Sequence, residues 1–522
     1  MAGFLDVVLR GLLLALASIA AGGVAWLGLV LRAGPGVKPD DATRRSLHVV
    51  ALAAALAAAV QLAVALVALG GLADAVGGWP AGLFLDTMFA RAASVRVVLA
   101  VAVAVIAALV ARRGAGGVAW LALGVTSGAL VASSALVSHA VARVEDRGVL
   151  LVLDAAHQLA AAVWVGGLAH LTIHAIRRRA DAGPPQRDLV SRFSRLAFAA
   201  MVTIALAGAA LTGFYVGDAG AFVGTAYGVM IVSKVVLLLA ALGLAAANFF
   251  AVRRASTEIT LYRFVEVELG LGLTLLFAAA SLTSLPPAVD VVADRATIAE
   301  VAARFEPRLP RLVSPPHAEL VRSADPLMAP PGERKPIERA WSEYNHHWSG
   351  FFVLLMGLGA AIERLGVRWA RHWPLAFLGL AVFMFVRNDP RAWPLGPTGF
   401  WESLTLPDVL QHRLFTLLVL AFGVFEWMVR AERLPRRPWA YVFPLLCAVA
   451  GGLLLTHSHA MFNLKEEFLA EVTHAPLGIL GVFAGWGRWL ELRVPSSSRV
   501  SGWAWTACLT GVGLLALVYR EG

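Results

Sequence analysis

Asp154-Ala155-Ala156-His157-Gln158-Leu159-Ala160-Ala161-Ala162-Val163-Trp164-Val165-Gly166-Gly167-Leu168 is the stretch on which the fold turns. It lies in an apolar window, 149–176, longer than the ~20 residues a helix needs to cross a bilayer. Comparable windows recur at 4–31, 47–73, 95–111, 117–142, 193–216, 226–251 and 264–285. After a polar, Pro-rich stretch they return at 347–364, 374–387, 412–430, 438–456, 475–490 and 502–519. The 522 residues are 59% hydrophobic and 15% charged, where soluble domains carry roughly 25% charged residues. That excludes an ordinary water-soluble enzyme. The expected fold is all-α: a polytopic membrane protein with an eight-helix domain over 1–285, a periplasmic linker over 286–345 and a six-helix domain over 346–522. The apolar stretch from Phe4 to Leu31 is too long for a cleaved signal and lacks a basic leader, so it is expected to stay as a span.

Charge sets the expected orientation. Lys+Arg 44 against Asp+Glu 34 gives a net +10, and the excess sits in alternate loops. Arg32, Lys38, Arg44 and Arg45 follow the first span, Arg112 and Arg113 the third, Arg177 to Arg179 and Arg187 the fifth, and Arg253, Arg254 and Arg263 the seventh. Arg364, Arg368 and Arg371, then Arg430, Arg433, Arg436 and Arg437, then Arg488, Arg493 and Arg499 continue the alternation. The positive-inside rule makes these loops cytoplasmic and puts both termini and the linker outside. The basic balance is thus an orientation signal, and no nucleic-acid partner is expected.

Several chemistries have no support. Cys447 and Cys508 are the two cysteines, each in an apolar run, and there is no CxxC or CxxCH; disulfide frameworks, thiolate zinc and covalent haem are unsupported. No phosphate-binding GxxxxGK[ST] loop is present, so ATP-driven work is not expected.

With orientation set, most histidines fall at the outer face. These are His139, His157, His346, His347, His412, His457, His459 and His474, while His48, His170, His174 and His372 fall near the cytoplasmic side. Imidazole is amphipathic and gathers at interfaces, but an interface preference alone would populate both faces. The asymmetry favours a metal or haem site. In the fifth span Asp154, His157 and Gln158 stand at i, i+3 and i+4 and share one helical face. Asp154 could orient a metal-bound His157 through its second ring nitrogen, or pair with Lys234, which lies at similar depth in the seventh span. Gly166-Gly167 is expected to serve close helix packing.

A series of motifs adds a family resemblance. Ser138-His139-Ala140, the run His157 to Leu168, Arg192-Phe193-Ser194-Arg195-Leu196, Leu211-Thr212-Gly213 and Gly224-Thr225-Ala226-Tyr227-Gly228 with Lys234 resemble, in this order, the CopD copper-resistance family of bacterial inner-membrane proteins. The resemblance covers about residues 1–285. It implies an eight-helix topology, copper handled at the periplasmic face and moved toward the cytoplasm, and a periplasmic copper-binding partner. His139 and His157 match the family's histidines. Ser138 stands where glycine is commoner in the family, a swap that leaves the ligand untouched.

The second half is read from its own residues. His457-Ser458-His459-Ala460-Met461 puts three copper-ligand types within five residues. Glu467, Glu471 and His474 follow on one stripe of a short helix whose opposite positions, Phe468 and Val472, could face lipid. His346 and His347 open the ninth span and His412 the eleventh. The linker, with mixed charges and many prolines, is expected to be an extended tether with little core.

Three function classes follow. The first is a copper-handling permease, not an enzyme, in the bacterial inner membrane, with copper, Cu(I) or Cu(II), as its ligand. Imidazole binds metal only when neutral, so uptake is expected to weaken below about pH 6, near the reference His pKa of ~6.5. The second is a b-type haem oxidoreductase, for which His412 with His346, His347 or His474 fits better than His139 with His157. The third is a non-transporting copper-delivery or assembly factor.

Overall fold

The structure is a computed structural model that describes residues 2–36, 38–114, 116–180, 187–253, 258–323, 335–456, 465–494 and 498–521. Fourteen long helices carry the chain. They are α1 (Ala2–Ala25), α2 (Asp41–Val76), α3 (Met88–Arg113), α4 (Gly117–Ala132), α5 (Arg147–Ala180), α6 (Arg187–Val216), α7 (Ala226–Arg253), α8 (Glu258–Leu282), α9 (Pro336–Arg364), α10 (Ala376–Arg387), α11 (Pro407–Arg430), α12 (Val442–Thr456), α13 (His474–Arg493) and α14 (Ser498–Leu517). Thirteen segments are long and apolar enough to cross a membrane, so the protein is an all-α, multi-pass membrane protein. The expected span 347–364 is missing from those thirteen. It forms as the second half of α9, but Asn345, His346 and His347 beside it leave an apolar segment too short to qualify.

Local chemistry fixes the helix ends. The Asp40 carboxylate accepts from the Thr43 N–H at 2.8 Å to start α2, and α2 stops at Gly77, whose φ of 74° only glycine adopts without strain. Thr87 caps α3 through the Ala90 N–H at 3.1 Å.

The chain divides into two compact units, residues 1–295 with 456–463 and residues 296–455 with 464–522. In the first, a core of small and aliphatic side chains such as Ala20, Ala54, Leu47, Val103 and Leu123 joins α1 to α5. The helices can approach this closely because of glycine: a Cβ on Gly166 would run into the Ser18 carbonyl oxygen, and one on Gly22 into the Ala162 carbonyl. In the second unit, Gly357 and Gly513 play the same part between α9 and α14.

The second unit also buries a balanced set of charges beside its aromatic core of Trp373, Phe443 and Trp505. Arg430 bonds Glu363 at 2.5 Å and Glu426 at 2.7 Å. Arg488 bonds Glu491 at 2.6 Å, and Arg364 pairs with the same carboxylate. The Trp505 and Trp373 indoles donate to Glu491 and Glu363 at 2.6 and 3.0 Å. Three arginines counted as orientation signals in the sequence are therefore also structural cations with assigned partners.

The expectation of an extended tether does not hold for the described part of the 286–345 stretch. Leu285 and Ala288 are buried in the first unit against Tyr215 and Val216. Arg143 holds Asp290 at 2.7 Å, and Arg295 pairs with Asp218. In the second unit a short helix, Ile298–Ala303, starts in a capping box between Thr297 and Glu300. Glu300 then bonds Lys465 at 2.7 Å. Short apolar patches and paired charges, easily missed among prolines, anchor the segment.

Candidate functional site

The site is built at the end of the first unit where α4 runs into α5. After α4 the chain tightens into two short 3-10 turns, Ser133–Val137 and His139–Ala142, with Ser138 capping the second through the Ala140 N–H at 3.3 Å. This places the His139 ring against two aromatic neighbours. His139, Tyr215 at the end of α6 and Tyr227 at the start of α7 form a triangle with ring centroids 6.1, 6.1 and 6.2 Å apart, each pair edge to face. Both tyrosines are nearly fully buried. His139 Nε2 lies 3.3 Å from the Leu282 carbonyl oxygen. A carbonyl only accepts, so Nε2 carries the proton and Nδ1 keeps its lone pair.

His157 is arranged in the same way from the other ring nitrogen. Its Nδ1 lies 3.1 Å from the Ile204 carbonyl on α6, which makes Nδ1 the donor and leaves Nε2 as the acceptor. The ring fits because residue 208 is glycine: a Cβ there would stand 3.1 Å from His157 Cε1. Asp154, one turn back, has a buried Oδ2 with no hydrogen-bond partner, and the buried Oε1 of Gln158 is likewise unpartnered. The Asp154 charge acts on His157, Lys234, Tyr215 and Tyr227, and the Lys234 charge acts on His157. Asp154 and Lys234 do not form the direct ion pair that sequence allowed, since no such contact within 4.0 Å occurs among the described residues. They influence each other through charge alone.

Beside the triangle lies a cavity of about 380 Å³ lined by Arg143, Glu145, Asp146, Leu150 and Phe214 among others. The Arg143 guanidinium sits 5.8 Å from the Tyr215 ring and is bonded to Asp290. The neighbouring Asp218 carboxylate is held below the usual carboxylate range by hydrogen bonds from Arg295 and from the Ala221 N–H. Glu145 and Asp146 line this cavity with negative charge beside Arg143, which its bond to Asp290 offsets. Tyr215 and the Gly208 gap escaped the sequence reading, and Tyr227 entered it only as part of the Gly224 to Gly228 motif, with no role of its own. Nothing local says that an aromatic will meet a histidine from another helix.

The second unit sorts its candidates differently. His347 is 4% exposed, and both its ring nitrogens are engaged: Nδ1 accepts from the Arg311 N–H at 2.6 Å and Nε2 donates to the Tyr519 carbonyl at 2.8 Å. That leaves no lone pair for an ion, so His347 is a structural bridge and its expected ligand role is corrected. His346 donates Nδ1–H to the Ser342 carbonyl at 2.8 Å, stacks on Tyr519 at 4.0 Å and lies 6.0 Å from the His474 ring. His412 meets Asp389 at 2.8 Å. Glu467 and Glu471 sit on the short helix Lys465–Glu471. Its Phe468 and the following Val472 are buried in protein and do not face lipid as the sequence had allowed. Burial also leaves Glu467 Oε2 without a hydrogen-bond partner. His457, His459 and Met461 lie outside the described residues. Among the described residues no three His, Cys, Asp or Glu side chains converge closely enough to hold an ion.

Residues 187–282 match the family described as copper resistance protein D, a segment that contains Ile204, Gly208, Tyr215, Tyr227 and Lys234. A curated relative, "Copper transport protein CutJ" of Bacillus subtilis (strain 168), is 30% identical over 229 residues, 41% of this chain and 41% of its own length. The chain thus spans about two fifths of the curated relative it matches. No solved structure matches. The motifs, the eight helices around them and the match over 187–282 agree, and a segment of the first unit is similar to the copper resistance protein D family.

Proposed function

We propose that the protein handles copper in the bacterial inner membrane, taking it from the periplasmic side through the first unit toward the cytoplasm. The observation that carries this reading is the pair of pre-oriented imidazoles. His139 and His157 each give one N–H to a backbone carbonyl, which leaves the lone pair on the other nitrogen, and this supports the reading because the same arrangement fixes tautomer and direction in metal-binding histidines. Glu145 and Asp146 draw cations into the mouth. His139 and then His157 take the ion, and Asp154 and Lys234 set the charge around the second ligand. The ligands are spread out rather than clustered. A site that must release its ion suits such spacing, because closed sets of three or four donors hold metal as structure. His346 with His474 and His412 with Asp389 in the second unit, together with His457, His459 and Met461, are reserve outer ligands, and a periplasmic copper-binding protein is the expected donor.

Copper accumulation in cells, and flux in proteoliposomes containing only this chain, test the reading. Replacing His139 and His157 together with alanine is expected to abolish flux while the protein still inserts. Unchanged flux in the double variant overturns the assignment. Copper binding without any flux in the wild-type chain would make it a delivery or assembly factor.

A further inference from the structure

The first unit holds a second polar group that the histidines do not use. Glu268 lies within the apolar span Arg263–Leu282 on α8, is 6% exposed, and has as its hydrogen-bond partner Asn248 of α7, whose Nδ2 is 3.4 Å from Glu268 Oε1. The Asn248 carbonyl oxygen is buried with no partner at all. Tyr227 and Asn248 are both on α7, so at 1.5 Å per residue this pair is roughly 30 Å along the helix from the His139 triangle. It belongs to the opposite half of the membrane.

Among the described residues no cation balances the carboxylate. The helices packed on α8 are α1, α5 and α7. On α1 no titratable side chain occurs between Arg10 and Arg32, and on α7 none occurs between Lys234 and Arg253. On α5 the groups of this half are His170, bonded to the Ile19 carbonyl at 3.2 Å, His174, whose ring is 6.0 Å from Trp26, and the Arg177 to Arg179 run at the helix end. On α8 itself the neighbours are Arg263 and Glu266. Among the described residues none of these charges acts on Glu268; burial and Asn248 are what it feels. An isolated carboxylate in such a place is expensive, and a protonated one is not. A carboxylate and an amide oxygen are also hard donors, unsuited to the soft ligand preference of Cu(I). An amide can offer N–H to a carboxylate or C=O to a carboxylic acid, so Asn248 can serve both states of its partner.

We propose that Glu268, with Asn248, is a proton-binding site in the cytoplasmic half of the first unit: the carboxylate takes up a proton to become a neutral acid and releases it as copper moves through the same helices. The site itself stands on Glu268 and Asn248; only what its proton is coupled to rests on the copper reading.

Infrared spectroscopy of the full chain in lipid nanodiscs tests it directly. The C=O stretch of a protonated carboxylic acid is expected at neutral pH, lost in Glu268→Gln and displaced in Asn248→Ala, which alters the hydrogen bond but leaves the acid in place. In proteoliposomes, Glu268→Gln is expected to slow copper flux driven by a pH gradient roughly tenfold, in the range of coupling between linked sites, with copper binding retained. An acid band identical in wild type and Glu268→Gln, or no acid band in a folded wild type, overturns the proposal, as does a band that sodium rather than acid restores. An acid band that depends on Glu268 in a chain that moves no copper keeps the proton site and removes the transport reading.

Discussion

His157 donates its Nδ1–H to the carbonyl oxygen of Ile204 at 3.1 Å, from one helix to the next. That bond decides which nitrogen of the imidazole can meet an ion. It also ties His157 to α6, the first helix of the segment that matches the copper-resistance family. The consequences can be measured.

Gly208 gives the His157 ring its space. In Gly208→Ala the added Cβ would stand 3.1 Å from His157 Cε1, so the ring must swing and the bond to Ile204 lengthens. Losing such a carbonyl partner typically weakens metal binding by roughly 10- to 100-fold. Copper titration of the purified variant should show that loss with expression unchanged; wild-type affinity would mean that the ring orientation does not matter.

The α1–α5 crossing is a backbone contact. A Cβ in Gly166→Ala meets the Ser18 carbonyl oxygen, which is main chain and cannot rotate away. A cost of about 1–3 kcal/mol is expected for overfilling a packed contact, read as a lower thermal midpoint in detergent or nanodiscs. Gly128→Ala on α4, where a Cβ meets nothing within 4 Å, is the control.

His347 should behave as structure. In His347→Ala the Arg311 N–H and the Tyr519 carbonyl both lose their partner, at about 1–3 kcal/mol for each buried group left unpaired. The thermal midpoint should fall while copper stoichiometry stays the same. A fall in bound copper without loss of stability would restore it as a ligand.

Acid should release the segment around Ile298–Ala303. Glu300 is held down at about 2 by its bond to Lys465 and by the Thr297 N–H and hydroxyl. Its folded value is depressed below the reference of ~4.3, so this anchoring is complete above pH ~4.3 and is lost as pH falls toward 2. Hydrogen exchange in Ile298–Ala303 should stay slow down to about pH 4 and quicken below it. In Lys465→Met the change should begin at higher pH.

Purified protein should bind copper and show no Soret band. A Soret band that disappears on replacing His412, or His346 with His474, would turn the second unit toward haem chemistry.

Much of this was readable in the linear chain. Thirteen of the fourteen expected spans were found where apolar windows lay, because hydrocarbon imposes a length and a composition that any single window reveals. The motifs singled out His139 and His157 as candidates, but not the carbonyls that orient their rings. The Pro-rich stretch after the eighth span was misread as a tether, because the pairings that anchor it, Arg143 with Asp290 and Glu300 with Lys465, join residues more than a hundred positions apart. His347 was misread because the partners that consume its nitrogens are backbone atoms of Arg311 and Tyr519, which have no sequence signature.

The sequence by itself determined that the chain is a multi-pass helical membrane protein, since hydropathy is a property of each segment alone. Only the tertiary structure decided which nitrogen of each histidine is available, that Tyr215 and Tyr227 close around His139, and that Glu268 meets an amide rather than a cation. Those facts depend on which helices touch, and small residues such as Gly22, Gly166 and Gly208 set that contact through the side chains they lack.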